Sequence, residues 1–391
     1  MIRVVFLLAF SFAALANDPS RAGMSVDVLA RIPVRMKEYV DHGKAAGFVT
    51  LVARHGHIAS LEAVGYQDRE SRIPMRTDTI FQIMSMTKPV TCAGIMILID
   101  EGRVALIDPV EKYLPEFKGK QISRPITIRD LMTHTSGLPA APPDGFDKAA
   151  HTLAEVVAAA RMPTFEPGSK WSYSNMGIAT LGRIIEVVAG KPFEQFIDER
   201  ILTPLKMKDT SFFLPGDKEG RLSAVYTDDN GKLVRQDDAI RFRRGAKSPM
   251  PEGGLYSTAG DMARFYQMML NGGSLDSRQV LSRAAVALMT TVHTGDLKTG
   301  FAPGMGYGLG WAVVREAAGT FRYNSIGTFS HGGAYRTYGW VDPAKDMLGV
   351  IMYQRTNGGG DVADEINTFM ALCGAAIERQ VAGTARGEIG R

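Results

Sequence analysis

Strand-like runs stand at both ends of this 391-residue chain, with helical patterns between them. Near the front, residues 48–53 (FVTLVA) and 58–64 (IASLEAV) are joined by His55-Gly56-His57. A short link with a central glycine between two such runs predicts a β-hairpin. Near the back, residues 309–314, 328–331, 335–341 and 347–353 read as further strands, and a helix over 362–379 follows them. Strands at both termini predict one antiparallel sheet built from both ends of the chain, with the helical middle inserted beside it. The expected class is therefore α/β (α+β).

The helical segments carry their own punctuation. Leu29, Ile32, Met36 and Val40 follow helical spacing and predict an amphipathic helix from Ser25 onward. Residues 90–101 are strongly apolar and stop at Gly102, as a helix buried on most sides would. Thr127 caps a helix containing Leu131 and Met132, residues 154–160 form another, and residues 178–188 a third that ends at Gly190. The expected division is a sheet part over about 24–107 and 216–391, and a helical part over about 108–215.

The first sixteen residues stand apart. Arg3 precedes apolar stretches over 4–10 and 12–16, and Ala14-Leu15-Ala16 offers small residues for cleavage before Asn17-Asp18. This is the pattern of a signal peptide, too short to span a bilayer, so an exported, periplasmic or secreted protein is expected over 17–391. The other reading is an uncleaved N-terminal anchor. No later stretch reaches membrane-spanning length.

Charge excludes little by itself. The formal charge is +4, and the densest basic run, Arg241-Phe-Arg243-Arg244 with Lys247, reads as a solvated loop rather than a nucleic-acid patch. Cys92 and Cys373 each lie in an apolar helical stretch and read as two buried free thiols, with a disulfide as the alternative. The sequence holds no HExxH, no CxxC, no G-x-S-x-G and no dinucleotide or P-loop glycine pattern, so neither a metal nor a cofactor is expected. His55 and His57 lack a following metal ligand, and His134 reads as a structural loop residue.

Chemistry gathers in three short segments. Residues 81–91 read FQIMSMTKPVT, placing Ser85 and Lys88 three positions apart, hence on one face of a helix. Pro89 belongs in a first turn, which sets the helix start close to Ser85, where exposed N–H groups favour negative charge. An N-cap serine with a surface lysine would fit the same letters. The second segment, Trp171-Ser172-Tyr173-Ser174-Asn175, precedes a helix. Tyr173 could serve there as a general base beside Lys88, and Asn175 could donate to a substrate carbonyl or hold Lys88. A helix cap with an aromatic staple would look alike. The third, Ser330-His331-Gly332-Gly333-Ala334, ends one strand and opens the next. Paired glycines allow close approach to a ligand, and the N–H of Ala334 could join that of Ser85 as an oxyanion hole. A plain Gly-Gly turn is the alternative.

SMTK, YSN and HGG in this order resemble the three active-site motifs of the serine β-lactamase and penicillin-binding protein superfamily. The class C β-lactamases and the family VIII carboxylesterases are the most similar branches. The framing segments TDTIFQIMSMTKPVT, ITIRDLMTHTSGLP, PGSKWSYSNMGIATLGRIIEVVAG, GGLYSTAGDMARF, YGLGW and SHGGAYRTYGWVDP extend the resemblance from about residue 47 to 353. It implies that Ser85 is the acylated nucleophile, that Lys88 and Tyr173 share the acid and base work, and that the N–H groups of Ser85 and Ala334 bind the oxyanion. Asn175, His331, Gly332, Gly333 and Arg336 would line the substrate site.

The pattern departs from penicillin-binding proteins and true β-lactamases at the third motif. His331 stands where those proteins carry a lysine, and a histidine of ordinary pKa is mostly neutral at pH 7. The expected function is therefore a serine hydrolase working through an acyl-enzyme on small-acyl esters. Alternatives are a β-lactamase, a D-amino peptidase or amide hydrolase, and a non-catalytic penicillin- or peptide-binding sensor. Arg336 could restore a positive charge near the site, or could be a solvated strand residue. The sequence leaves the oligomeric state open.

Overall fold

The computed structural model describes residues 17–120, 122–237, 245–300, 302–316, 323–357 and 363–378. The expected signal peptide over 1–16, the basic residues Arg241, Arg243 and Arg244, and both ends of the predicted 362–379 helix lie outside the described residues.

An eight-stranded antiparallel sheet organises the molecule. We number its strands β1 (Gly47–Arg54), β2 (His57–Asp68), β3 (Ile73–Pro74), β4 (Met305–Tyr307), β5 (Ala312–Val314), β6 (Phe329–Gly332), β7 (Tyr338–Asp342) and β8 (Met347–Met352). Their order across the sheet is β4-β5-β6-β7-β8-β1-β2-β3. The N-terminal hairpin therefore joins the C-terminal strands through β1 and β8, where Val49 faces Met352 and Arg54 faces Met347. This is the expected sheet built from both ends of the chain.

The sheet is covered on both faces, and alternation along each strand decides which residue goes where. Helices α1 (Val26–Leu29) and α2 (Arg31–Asp41) at the front, with a C-terminal helix over Asp364–Ala375, cover one face. Phe48, Val52, Trp340 and Ile351 are buried there with Ile32, Met36 and Phe369. The intervening residues Val49, Leu51, Val341 and Val350 face the larger core on the other side. That core contains α3 (Thr87–Asp100), α4 (Ile128–Met132), α5 (Leu153–Ala158), α6 (Asn175–Ala189), α7 (Phe193–Ile197), α8 (Ala259–Leu270) and α9 (Arg283–Met289). The C-terminal helix is α10.

Local signals account for the helix ends. Thr127 and Thr152 form capping boxes with Asp130 and Glu155, satisfying backbone N–H groups at the starts of α4 and α5. Gly190 ends α6 in the left-handed region at φ 69°, where a side chain would be strained. Helix α3 is buried from Thr87 to Leu98, as its unbroken apolar run predicts. Cys92 and Cys373 are both free and buried, and burial pushes the Cys92 thiol up to about 12.

Two strand starts lie three residues later than the sequence reading. The strand expected over 335–341 begins only at Tyr338, because Gly333 to Thr337 close a turn in which the Gly333 N–H donates to the Thr337 carbonyl. The strand expected over 309–314 begins at Ala312, since Gly310 takes φ 85°. Helices α8 and α9 are additions within the sheet part. Thr258 caps α8 by accepting from the Asp261 N–H, a start signal present in the segment STAGDMARF. No helix among the described residues is long and apolar enough to cross a membrane.

Candidate active site

Ser85 sits in a 3-10 turn, Met84–Met86, that runs directly into α3. Met84 takes φ 48° just before it, a left-handed conformation that costs a residue with a Cβ on the order of 1 kcal/mol. The Thr87 hydroxyl donates to the Met84 carbonyl at 2.6 Å and so holds the turn. A second strip of chain clamps the same turn. The Ile83 N–H donates to the Leu255 carbonyl, and the Leu255 N–H donates to Thr87 Oγ1. Thr91 donates to the Pro251 carbonyl at 2.7 Å. The glycine pair Gly253-Gly254, which opens the framing segment GGLYSTAGDMARF, is the local sequence signal for this strip.

Lys88 is 0% exposed, and its Nζ lies 2.8 Å from Ser85 Oγ and 2.6 Å from the Glu252 carbonyl oxygen. The surface-lysine reading of SMTK is thereby overturned: α3 buries Lys88 because the Pro251–Leu255 strip covers it. Glu252, rather than Asn175, holds its ammonium. Burial lowers the Lys88 pKa to about 7, with the Glu252 carboxylate opposing and Lys148 assisting that shift. A lysine at this value spends much of its time neutral at physiological pH and can take a proton from Ser85.

Tyr173 lies in the loop before α6, with its ring centroid 4.8 Å from Lys88 Nζ. The loop is pinned by its neighbours. Ser174 is the N-cap of α6, accepting from the Gly177 N–H at 3.0 Å and donating to the Pro139 carbonyl at 2.8 Å. YSN is thus a helix cap and a site segment at once. Asn175 opens α6, and its side chain is half-buried with no hydrogen-bond partner among the described residues.

His134 braces this loop from behind. Its Nδ1 accepts from the Ser174 N–H at 3.1 Å, and its ring lies 4.4 Å from that of Tyr173. The hydrogen bond fixes the proton on Nε2, which is buried without a partner among the described residues. Burial, then the nearby Lys88 and His331, hold its pKa well below the ordinary histidine value. His134 is a structural loop residue, as its sequence context suggested. Tyr307, within the framing segment YGLGW, packs 5.0 Å from it, ring to ring.

The β6 end completes the arrangement. His331 is buried, with Nδ1 2.8 Å from the Gly332 carbonyl and Nε2 3.3 Å from the Tyr307 hydroxyl. A carbonyl can only accept, so Nδ1 carries the proton and Nε2 accepts from Tyr307. Burial, assisted by Lys88, brings the His331 pKa down to about 3. Gly333 packs so closely that an added Cβ would lie 2.3 Å from the Ile83 carbonyl oxygen. Thr337 Oγ1 donates to that same carbonyl at 2.9 Å, fastening the β6–β7 turn to the residues before Ser85. Neither the Ser85 N–H nor the Ala334 N–H donates to a protein acceptor among the described residues.

Arg336 departs from the solvated-strand expectation. It is 5% exposed, adopts φ 72°, and donates from Nη2 to the Asn357 carbonyl at 2.9 Å. Its charge acts on Tyr353, in the layer behind the sheet. The β6–β7 turn makes it a buried cation held against the Asn357 carbonyl, not a residue solvated on a strand.

Comparison with known proteins agrees with this geometry. The β-lactamase family profile matches residues 35–371. Esterase EstB of Burkholderia gladioli is 30% identical over 387 residues, covering 88% of this chain and 94% of its own. The D-alanyl-D-alanine-carboxypeptidase/endopeptidase AmpH of Escherichia coli (strain K12) is 27% identical over 344 residues, covering 82% and 83%. Among solved structures, EstCE1, a hydrolase with promiscuous acyltransferase activity, superposes with a TM-score of 0.77 at 25% identity, covering 90% of this chain and 99% of its own.

Proposed function

The chain belongs to the β-lactamase family and is a serine hydrolase, and on that premise we propose that it is a carboxylesterase acting on small-acyl esters. In this reading Ser85 is the nucleophile. Neutral Lys88 takes the Ser85 proton as Oγ attacks the ester carbonyl, and the N–H groups of Ser85 and Ala334 receive the oxyanion. The C–O bond to the alcohol then breaks, and Tyr173 with Lys88 returns the proton to the leaving oxygen. Water attacks the acyl-serine by the same route in reverse, releasing the acid and restoring Ser85. Asn175 offers a free amide to the substrate at the mouth of α6.

One observation carries the ester preference: His331 is buried and neutral, held by Gly332 and Tyr307. A third-motif cation would attract the carboxylate of a penicillin or a peptide, whereas a neutral imidazole with a pKa near 3 supplies no such charge. Esterase EstB supports this reading by name, and EstCE1, a hydrolase, supports its premise. The test is a side-by-side panel of p-nitrophenyl acyl esters, nitrocefin and D-Ala-D-Ala peptides. The esters should give the highest kcat/KM; a higher value for nitrocefin or the peptide would replace the reading by that alternative.

The same reading takes the sheet part (about 24–107 and 216–391) and the helical part (about 108–215) as walls of one site. It also takes the apolar stretch ending at Ala14-Leu15-Ala16 as an export signal. Cell fractionation tests the latter: the mature chain should appear outside the cytoplasm, beginning near Asn17.

A further inference from the structure

A part-buried ion pair stands behind the lysine. Glu252, whose carbonyl accepts from Lys88 Nζ, binds Lys148 through its own carboxylate, with Oε1 2.7 Å from Lys148 Nζ. The side chains are 6% and 23% exposed, so water screens the pair poorly. The second carboxylate oxygen, Oε2, is buried with no hydrogen-bond partner among the described residues. The two residues come from different parts of the chain. Lys148 lies in a 3-10 turn before α5, and Glu252 lies in the strip before α8. The Lys148 turn is fixed in turn by Asp147, which caps it, and by the Lys247 N–H, which donates to the Ala149 carbonyl at 2.8 Å.

A carboxylate this close to Lys88 would hold its ammonium protonated, and a protonated amine cannot accept the Ser85 proton. We propose that Lys148 and Glu252 are positioning residues for the reaction at Ser85: the carboxylate anchors the strip that grips Lys88, and Lys148 cancels its charge so that Lys88 can release a proton. The inference rests on Lys88 as the base for Ser85. The two charges act on Lys88 in opposite senses, Glu252 raising its pKa and Lys148 lowering it, while burial sets the overall value near 7. Two imidazoles, a thiol and a tyrosine ring also surround Lys88. His134 and His331 are held neutral by burial, the Cys92 thiol is pushed up to about 12, and Tyr173 presents its ring. The pair is thus the adjustable charge beside the base.

The experiment compares pH profiles of kcat/KM for a p-nitrophenyl ester. The acidic limb reports loss of the proton from Lys88. Glu252→Gln leaves Lys148 unopposed and should move that limb to lower pH, by about one unit. Lys148→Met leaves the carboxylate unopposed and should move it to higher pH by a similar amount. The double variant should return the limb to its wild-type position, and Lys148→Arg should leave it there. A purely structural role would lower rates without shifts of opposite sign. A limb unmoved by both single variants, or moved the same way by both, overturns the inference. Ser85→Ala distinguishes this failure from failure of the hydrolase reading: retained turnover there would sink that reading and the inference with it, whereas abolished turnover with an unmoved limb sinks the inference alone.

Discussion

Lys88 Nζ stands 2.8 Å from Ser85 Oγ although the lysine side chain is wholly buried. Burial disfavours the charged ammonium, and the 2.8 Å contact directs the resulting base at one oxygen. Activity should therefore rise with pH through the Lys88 pKa of about 7, giving an acidic limb in kcat/KM there. Lys88→Ala should lower the acylation rate by roughly 10²–10⁴ and remove that limb, measured by single-turnover kinetics with a p-nitrophenyl ester. Ser85→Ala should abolish turnover while leaving the circular dichroism spectrum unchanged.

Tyr173→Phe keeps the ring against His134 and Lys88 and removes only the hydroxyl. The melting temperature should hold within a few degrees while kcat falls by roughly 10²–10⁴. An unaltered kcat would reduce Tyr173 to a packing residue beside the 4.4 Å ring contact with His134.

Gly333→Ala places a methyl group 2.3 Å from the Ile83 carbonyl and Thr337 Oγ1, so the β6–β7 turn must move away from the residues before Ser85. The Ala334 N–H moves with it. Loss of one oxyanion donor should lower kcat by about 10²–10³ with a smaller change in KM. Thr337→Val, which removes the 2.9 Å hydrogen bond to Ile83 without adding bulk, should lower kcat in the same direction and by less.

His331→Lys restores a third-motif cation. The ratio of cephalosporin to ester turnover should rise, using a cephalosporin that carries a carboxylate. An unchanged ratio would detach ester preference from this position.

Asp130 carries the acid stability of the loop behind Tyr173. Burial would raise its pKa, but the bidentate pair with Arg124 and the Thr127 bonds outweigh burial and lower it. A depressed folded-state value contributes stability that is present above the unfolded carboxylate pKa and lost as pH falls through the folded one. Arg124→Ala should cost about 1–2 kcal/mol at pH 7, solvent at the 40% exposed guanidinium screening part of the pair, as read by urea denaturation. It should also move the midpoint of acid unfolding to higher pH.

The hairpin, the buried α3, the Thr127 cap and the Gly190 stop were legible because each rests on contacts within a few residues. Ser85, Lys88, Tyr173 and His331 stood out through motif order, and the structure brings the other three together around Lys88. The Pro251–Leu255 strip was not. Its hydrogen bonds to Ile83, Thr87, Lys88 and Thr91 span more than 150 residues of chain, and no local pattern encodes them. The burial of Arg336 was not legible for the same reason, since it depends on where Asn357 returns.

Sequence alone determined the antiparallel sheet from both termini, the helical middle, and the spacing that sets Ser85 beside Lys88. Periodicity and turn residues act locally, and the three motifs keep their order along the chain. Tertiary structure alone decided the charge states: Lys88 near neutrality and His331 as a neutral imidazole held by Tyr307. A pKa depends on desolvation and on partners brought from distant segments, and those exist only once the chain has closed around Ser85.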